Sequence, residues 1–120
     1  MAFPSRILGA GNSPLSSSTI CGDGATGLVA LGTTAADALQ LSAVFNAITT
    51  SSASTGVKLP PTEVGAMVGI RNDSGQTITV YPYDTSSTIN AGATSLSVAT
   101  AKTVLLFATS ATTWASVTTA

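Results

Sequence analysis

The chain is 120 residues long, 44% hydrophobic and only 8% charged, with a net charge of −1, a single cysteine and no histidine. One domain is the length expectation, and a chain of this size buries roughly two thirds of its unfolded surface, enough for a core. The missing imidazole excludes the commonest general base, the commonest zinc ligand and every Ser-His or Cys-His pair, and one thiol excludes an intramolecular disulfide framework.

The polar part is almost entirely Ser and Thr, 36 residues, beside 19 Ala and 11 Gly. A surface of hydroxyls and methyls carries little repulsive charge, so association between chains is the expected behaviour. Disorder is not expected, because disordered chains combine low hydrophobicity with high net charge. The basic residues Arg6, Lys58, Arg71 and Lys102 are too few and too scattered to track phosphates, so no nucleic-acid partner is expected. No stretch approaches the roughly 20 apolar residues that span a bilayer, which argues against a membrane. The start, Met1 to Arg6, lacks the basic-then-apolar pattern of a signal peptide. The expectation is a protein made in a reducing cytoplasm and kept there until it is assembled.

Residues 1–26 are rich in Gly, Ser, Pro and Asn, with apolar residues only in ones and twos: Phe3, Ile7 and Leu8, Leu15, Ile20. Such a segment hardly folds alone. It reads either as a frayed terminus or as an extended N-terminal arm ordered against a neighbouring subunit, and the three anchors Phe3, Ile7 and Leu8 favour the arm. Residues 27–120 then form the domain.

From Gly27 onward short β-favouring runs alternate with turn signals. Gly27–Leu31 is apolar and short, and Gly56–Leu59 alternates until Pro60-Pro61 ends it. Met67–Arg71 and Thr77–Tyr81 flank the turn cluster Asn72 to Gln76, so they are expected to pair as a β-hairpin. Within the second of these runs Ile78 and Val80 face one side, Thr77, Thr79 and Tyr81 the other. Ser95–Ala99 alternates, Thr103–Thr109 is the strongest strand, Ser110–Thr113 turns, and Trp114–Val117 returns. Six or seven strands with turns about every ten residues predict an all-β fold, a small antiparallel β-sandwich of jelly-roll character. Residues 35–48 resist this reading. Leu41, Val44, Phe45 and Ile48 keep helical spacing behind a capping box at Thr34 to Asp37, yet Ala38–Leu41 alternates and Ile48-Thr49-Thr50 favours a strand. The β character of every neighbour tips the segment to strands.

Chemistry is sparse. Of the five carboxylates, Asp23, Asp37, Glu63, Asp73 and Asp84, only Glu63 and Asp73 lie within ten residues of each other, and Asp73 sits where a turn wants Asp. The loop Gly22-Asp23-Gly24 lacks the further acidic ligands of a calcium site. Cys21 has no base partner and reads as an inert thiol. No catalytic residue, cofactor or metal is expected, and the chain reads as a non-enzyme. Tyr81, Tyr83 and Trp114 could form a sugar-stacking platform, but filling a core edge or a subunit interface is favoured.

The second half carries an ordered set of short motifs. Thr55-Gly56-Val57-Lys58-Leu59-Pro60 is followed by Val68-Gly-Ile-Arg-Asn72 and by Ile78-Thr-Val-Tyr81-Pro82. Then come Thr88-Ile89-Asn90-Ala91-Gly92, Val98 to Thr103, and Thr109-Ser110-Ala111-Thr112-Thr113-Trp114. This order resembles a group of small virion proteins of tailed bacteriophages, over roughly residues 33–118; each motif alone is weak, and the specificity lies in their order. The resemblance implies a β-sandwich capsid decoration (cement) protein, often trimeric, resident on the capsid surface. Its partners would be the major capsid protein and further copies of itself, with Phe3, Ile7, Leu8, Tyr81 and Tyr83 as candidate contacts. A glycan- or receptor-binding module of a phage fibre or tail is the alternative, and another head–tail or tail-tube part a third.

Overall fold

The computed structural model describes Gly11 and residues 23–120. Among them no helix forms, and ten strands build two sheets, so the protein is all-β. The strands are β1 (Gly24–Val29), β2 (Leu39–Gln40), β3 (Phe45–Thr50), β4 (Gly56–Lys58) and β5 (Met67–Asn72). They continue with β6 (Ile78–Tyr81), β7 (Thr88–Ile89), β8 (Leu96–Val98), β9 (Lys102–Ala108) and β10 (Thr113–Thr118).

The order is β1-β3-β5-β9-β10-β7 in the six-stranded sheet and β2-β4-β6-β8 in the four-stranded sheet. The first six strands therefore alternate between sheets, and those sharing a sheet run parallel: β1 with β3, β3 with β5, β2 with β4, β4 with β6. A parallel pair needs a crossover. Here each crossover is a strand of the opposite sheet, so the chain winds as a stack of coils. This corrects the antiparallel jelly-roll expectation. Alternating apolar residues bury one face of a strand whether its neighbour runs up or down, so the pattern carried the strands but not their directions. The antiparallel part is confined to the end of the chain, where β9 pairs with β5 and β10, and β8 with β6.

The expected hairpin of 67–81 is also corrected. β5 and β6 lie in different sheets, and the turn between them carries the chain from one layer to the other. Asn72 shows why. It is fully buried, its Nδ2 donates to the carbonyls of Gln76 (2.7 Å) and Val98 (2.9 Å), and its Oδ1 accepts from the Ser74 N–H and hydroxyl. The side chain that opens the turn thus points across the core to β8, and the chain follows it.

Segment 35–48 forms no helix, and strand is confined to β2 and the start of β3, with turn and bend residues filling the rest. The capping motif still forms: Asp37 Oδ1 accepts from both the N–H (2.9 Å) and the hydroxyl (2.8 Å) of Thr34. It closes a turn rather than a helix, and Ile48 on β3 and Leu41, just after β2, are both buried in the core. The hairpin of β9 and β10 is as expected, with the Thr109 N–H on the Thr113 carbonyl.

The core lies between the sheets. Ile48, Val68, Ile70, Val104, Leu106 and Trp114 from one layer meet Val57, Ile78, Val80 and Val98 from the other, and Leu41, Leu59 and Ile89 complete the cluster. Burying a Val, Leu or Ile side chain contributes about 1.5–3 kcal/mol, and these residues supply the driving force that the few charges cannot. Trp114 is the largest of them, and its Nε1 donates to Thr62 Oγ1 at 3.0 Å.

Candidate protein-binding face

Strands β3, β5, β9 and β10 each turn alternate residues away from the core. In β9 Val104 and Leu106 are buried while Leu105 and Phe107 point outward; in β5 Val68 and Ile70 are buried while Met67, Gly69 and Arg71 point outward. The register lines up the outward residues across the strands. One row runs Phe45–Gly69–Leu105–Val117, and the next runs Met67–Phe107–Ala115. Phe45, Phe107 and Val117 are 39%, 38% and 65% exposed, large values for apolar side chains on one face of a sheet. Contiguous apolar surface of this kind marks a place for another macromolecule.

Gly69 shapes the middle of this face. A Cβ there would stand 2.6 Å from Phe45 Cδ1 and 3.3 Å from Leu105 Cδ2, so the missing side chain lets the Phe45 ring lie flat across β5. The result is an open hollow of about 410 Å³, lined by Gly24, Ala25, Phe45, Gly69, Arg71 and Leu105 among others. At its rim Arg71 is neutralised: its Nε is 2.8 Å from Asp73 Oδ1, and its Nη1 donates to the Ala101 carbonyl at 3.0 Å. The face therefore presents hydrocarbon bordered by hydroxyls, and covering it strands no lone cation. Behind it, buried Asn46 donates from Nδ2 to the carbonyls of Ala43 (3.0 Å) and Gly69 (3.2 Å), while its Oδ1 has no partner among the described residues.

The aromatic residues singled out from the sequence do not meet. Trp114 is in the core. Tyr81 is half-buried on the outer side of β6, packed over Gly56, with its hydroxyl donating to the Thr33 carbonyl at 3.3 Å. Tyr83 is 44% exposed in a second hollow of about 400 Å³, with Lys58, Pro82, Asp84, Ser87 and Thr94 around it. Lys58 Nζ sits 5.8 Å from its ring centre, a cation–π distance. Phe3, Ile7, Leu8 and Cys21 lie outside the described residues.

Two carboxylates are tuned by hydroxyls. The Thr34 hydroxyl, then its N–H, holds Asp37 below the usual carboxylate range, and the hydroxyls of Ser86 and Ser87 do the same for Asp84. Both are exposed turn residues, and hydrogen bonding to the charged form is the cause. Asp23 also acts locally, its Oδ1 accepting the Val44 N–H at 3.1 Å.

The residues missed from the sequence are those of the outer face: Phe45, Gly69, Leu105, Phe107 and Val117. One signal was present. The unbroken apolar run Val104–Ala108 is what a strand covered on both faces looks like, and this fold has only one inner face to cover it with. Compared with known proteins, the chain matches no family model, no curated protein and no solved structure.

Proposed function

We propose that this chain is a structural protein that works by adhering to other protein subunits through the outer face of its six-stranded sheet. The role is the one its motif order suggests, a capsid decoration protein of a tailed bacteriophage. The observation that carries the reading is the uncharged double row Phe45–Gly69–Leu105–Val117 and Met67–Phe107–Ala115, at whose rim Arg71 is already paired with Asp73. Such a face is covered at little cost in desolvated charge. A decoration protein binds many equivalent sites at once, so modest contacts add up over a lattice, and a cyclic trimer of copies would match its threefold points.

The test is to mix purified protein with empty capsids of its own phage, image them, and melt them. Binding at threefold or quasi-threefold points with a raised capsid melting temperature is the expected result. Phe45→Asp, on the exposed face, should abolish attachment while the free protein melts as before. Protein that ignores capsids but retains host polysaccharide would overturn the proposal. It would favour the second reading, a glycan- or receptor-binding module, which rests on the exposed Tyr83 ring beside Asp84 and Ser87. That reading has one accessible ring where stacking platforms use several, and Lys58 already lies over it.

A further inference from the structure

Strand β10 is longer than the strand outside it. β9 pairs with it along Trp114–Thr118, whereas β7 pairs with it at Thr113 and Trp114. Among the described residues no other strand lies beside Ala115–Thr118 on that side. The bonds to β9 fix which groups face this edge. The Thr109 N–H donates to the Thr113 carbonyl and the Thr119 N–H to the Thr103 carbonyl, so the odd residues of β10 turn their N–H and carbonyl groups to β9. The even residues, Trp114, Ser116 and Thr118, turn theirs to the other side. β10 carries neither charge nor proline, and a net charge of −1 gives copies little repulsion. Such an edge is a template for a strand of another chain.

The turn after β7 occupies the first part of this edge. In a parallel ladder a residue donates its N–H to one carbonyl of the neighbouring strand, and its own carbonyl accepts the N–H two residues further on. Asn90 completes the first half, its N–H donating to the Trp114 carbonyl at 2.7 Å. The second half falls to its side chain. Asn90 Oδ1 accepts the Ser116 N–H at 2.9 Å, and its Nδ2 donates to Ser116 Oγ at 2.6 Å. The amide group thus stands where a continuing backbone would. The backbone itself has left, because Asn90, Ala91 and Gly92 take φ values of 51°, 65° and 125°, and Ile89 and Ala93 bond to each other across the turn. Asn tolerates left-handed backbone better than most residues, and its side chain holds the donor and acceptor of a peptide group. Both properties are used at this position.

We propose that Asn90 is a side-chain cap on the β10 edge, which ends β7 and keeps a strand of a second copy from adding beside Ala115–Thr118. The chain's own β10 is the strand this edge fits. An antiparallel pairing of two copies of β10 centred on Val117 would set Ser116 of each against Thr118 of the other. It would also continue the apolar row Phe45–Gly69–Leu105–Val117 from one copy into the next. Ser116 is needed in both of those pairs, and Asn90 holds it. Copies are left to associate through the outer face rather than the edge. The inference rests on residues 88–93 and 113–118 and stands apart from the capsid reading.

Sedimentation velocity on the full chain tests it, in a Phe45→Asp background so that association through the outer face is absent. Adding Asn90→Gly, which suits the left-handed backbone and removes the cap, should produce larger species as concentration rises. Thr118→Pro, which deletes an edge-facing N–H and no bond to β9, should reverse this. Asn90→Asp keeps the acceptor for Ser116 and should sediment as the background does. Amide exchange on the unmutated chain gives a second readout, with the Ser116 N–H at least about 10-fold slower than that of Thr118. Asn90→Gly that sediments like the background at every concentration would overturn the proposal. So would association that survives Thr118→Pro, or equal exchange at Ser116 and Thr118.

Discussion

The wound region, β1 to β6, and the closing region, β7 to β10, use similar strands in opposite ways. In the wound region no strand pairs with its sequence neighbour, and every pairing between two of its own strands is one coil apart and parallel. In the closing region β9 and β10 form a hairpin, β9 returns antiparallel to β5, and β8 antiparallel to β6. Winding extends a core one rung at a time but always leaves edges. The closing strands end that growth by reversing direction and finishing on short edges. They also bring Trp114, the largest buried side chain, under the last rungs.

The sharpest way to break this division of labour is Trp114→Ala. It should cost about 3–5 kcal/mol in thermal or denaturant unfolding, because it opens a cavity and removes one of the two hydrogen bonds of the Thr62 hydroxyl, which keeps its bond to Ser87 Oγ. An unchanged midpoint would show that the closing region does not seal the core. Next is the joint between the regions. Asn72→Ala removes the side-chain donor of the Val98 carbonyl and leaves the Gln76 carbonyl only the longer bond from the Ser74 hydroxyl, and should cost about 1–3 kcal/mol. Exchange of the β6 and β8 amides should rise more than that of β1 and β3, and a uniform rise would mean that Asn72 is no local tie.

The smallest effect is acid. Asp37 lies in the wound region and Asp84 at the entrance to the closing region, and both have lowered folded pKa values. A depressed carboxylate contributes stability above its unfolded pKa and loses it as pH falls through the folded value. With no histidine present, stability should be flat from about pH 5 to about pH 8 and decline slightly below about pH 4. A titration in the neutral range would contradict this. Because the groups are exposed, the decline should appear first as local loosening at 34–37 and 84–87, read by NMR.

Individual strands were legible in the sequence wherever turn residues bounded them: Gly56–Lys58 before Pro60, Ile78–Tyr81 after the Asn72 turn, the β9–β10 hairpin around Ser110. The inward residues Ile78 and Val80 and the preference of 35–48 for strand over helix could be read too. The candidate face could not, apart from the hint in Val104–Ala108. Phe45 and Gly69 are 24 residues apart and become neighbours only through the parallel register.

Composition and alternation determined that this protein is all-β, poor in ionic chemistry, and where its strands begin and turn, because those depend on local backbone preference and on which side chains leave water. Strand direction, the sheet each strand joins, and the meeting of Phe45, Gly69, Leu105 and Val117 were decided by tertiary structure alone. A strand that is apolar on alternate residues is satisfied equally by a partner beside it or one stacked across the core. Only the packing of the whole chain, with Asn72 steering the turn to the opposite sheet, selects between them.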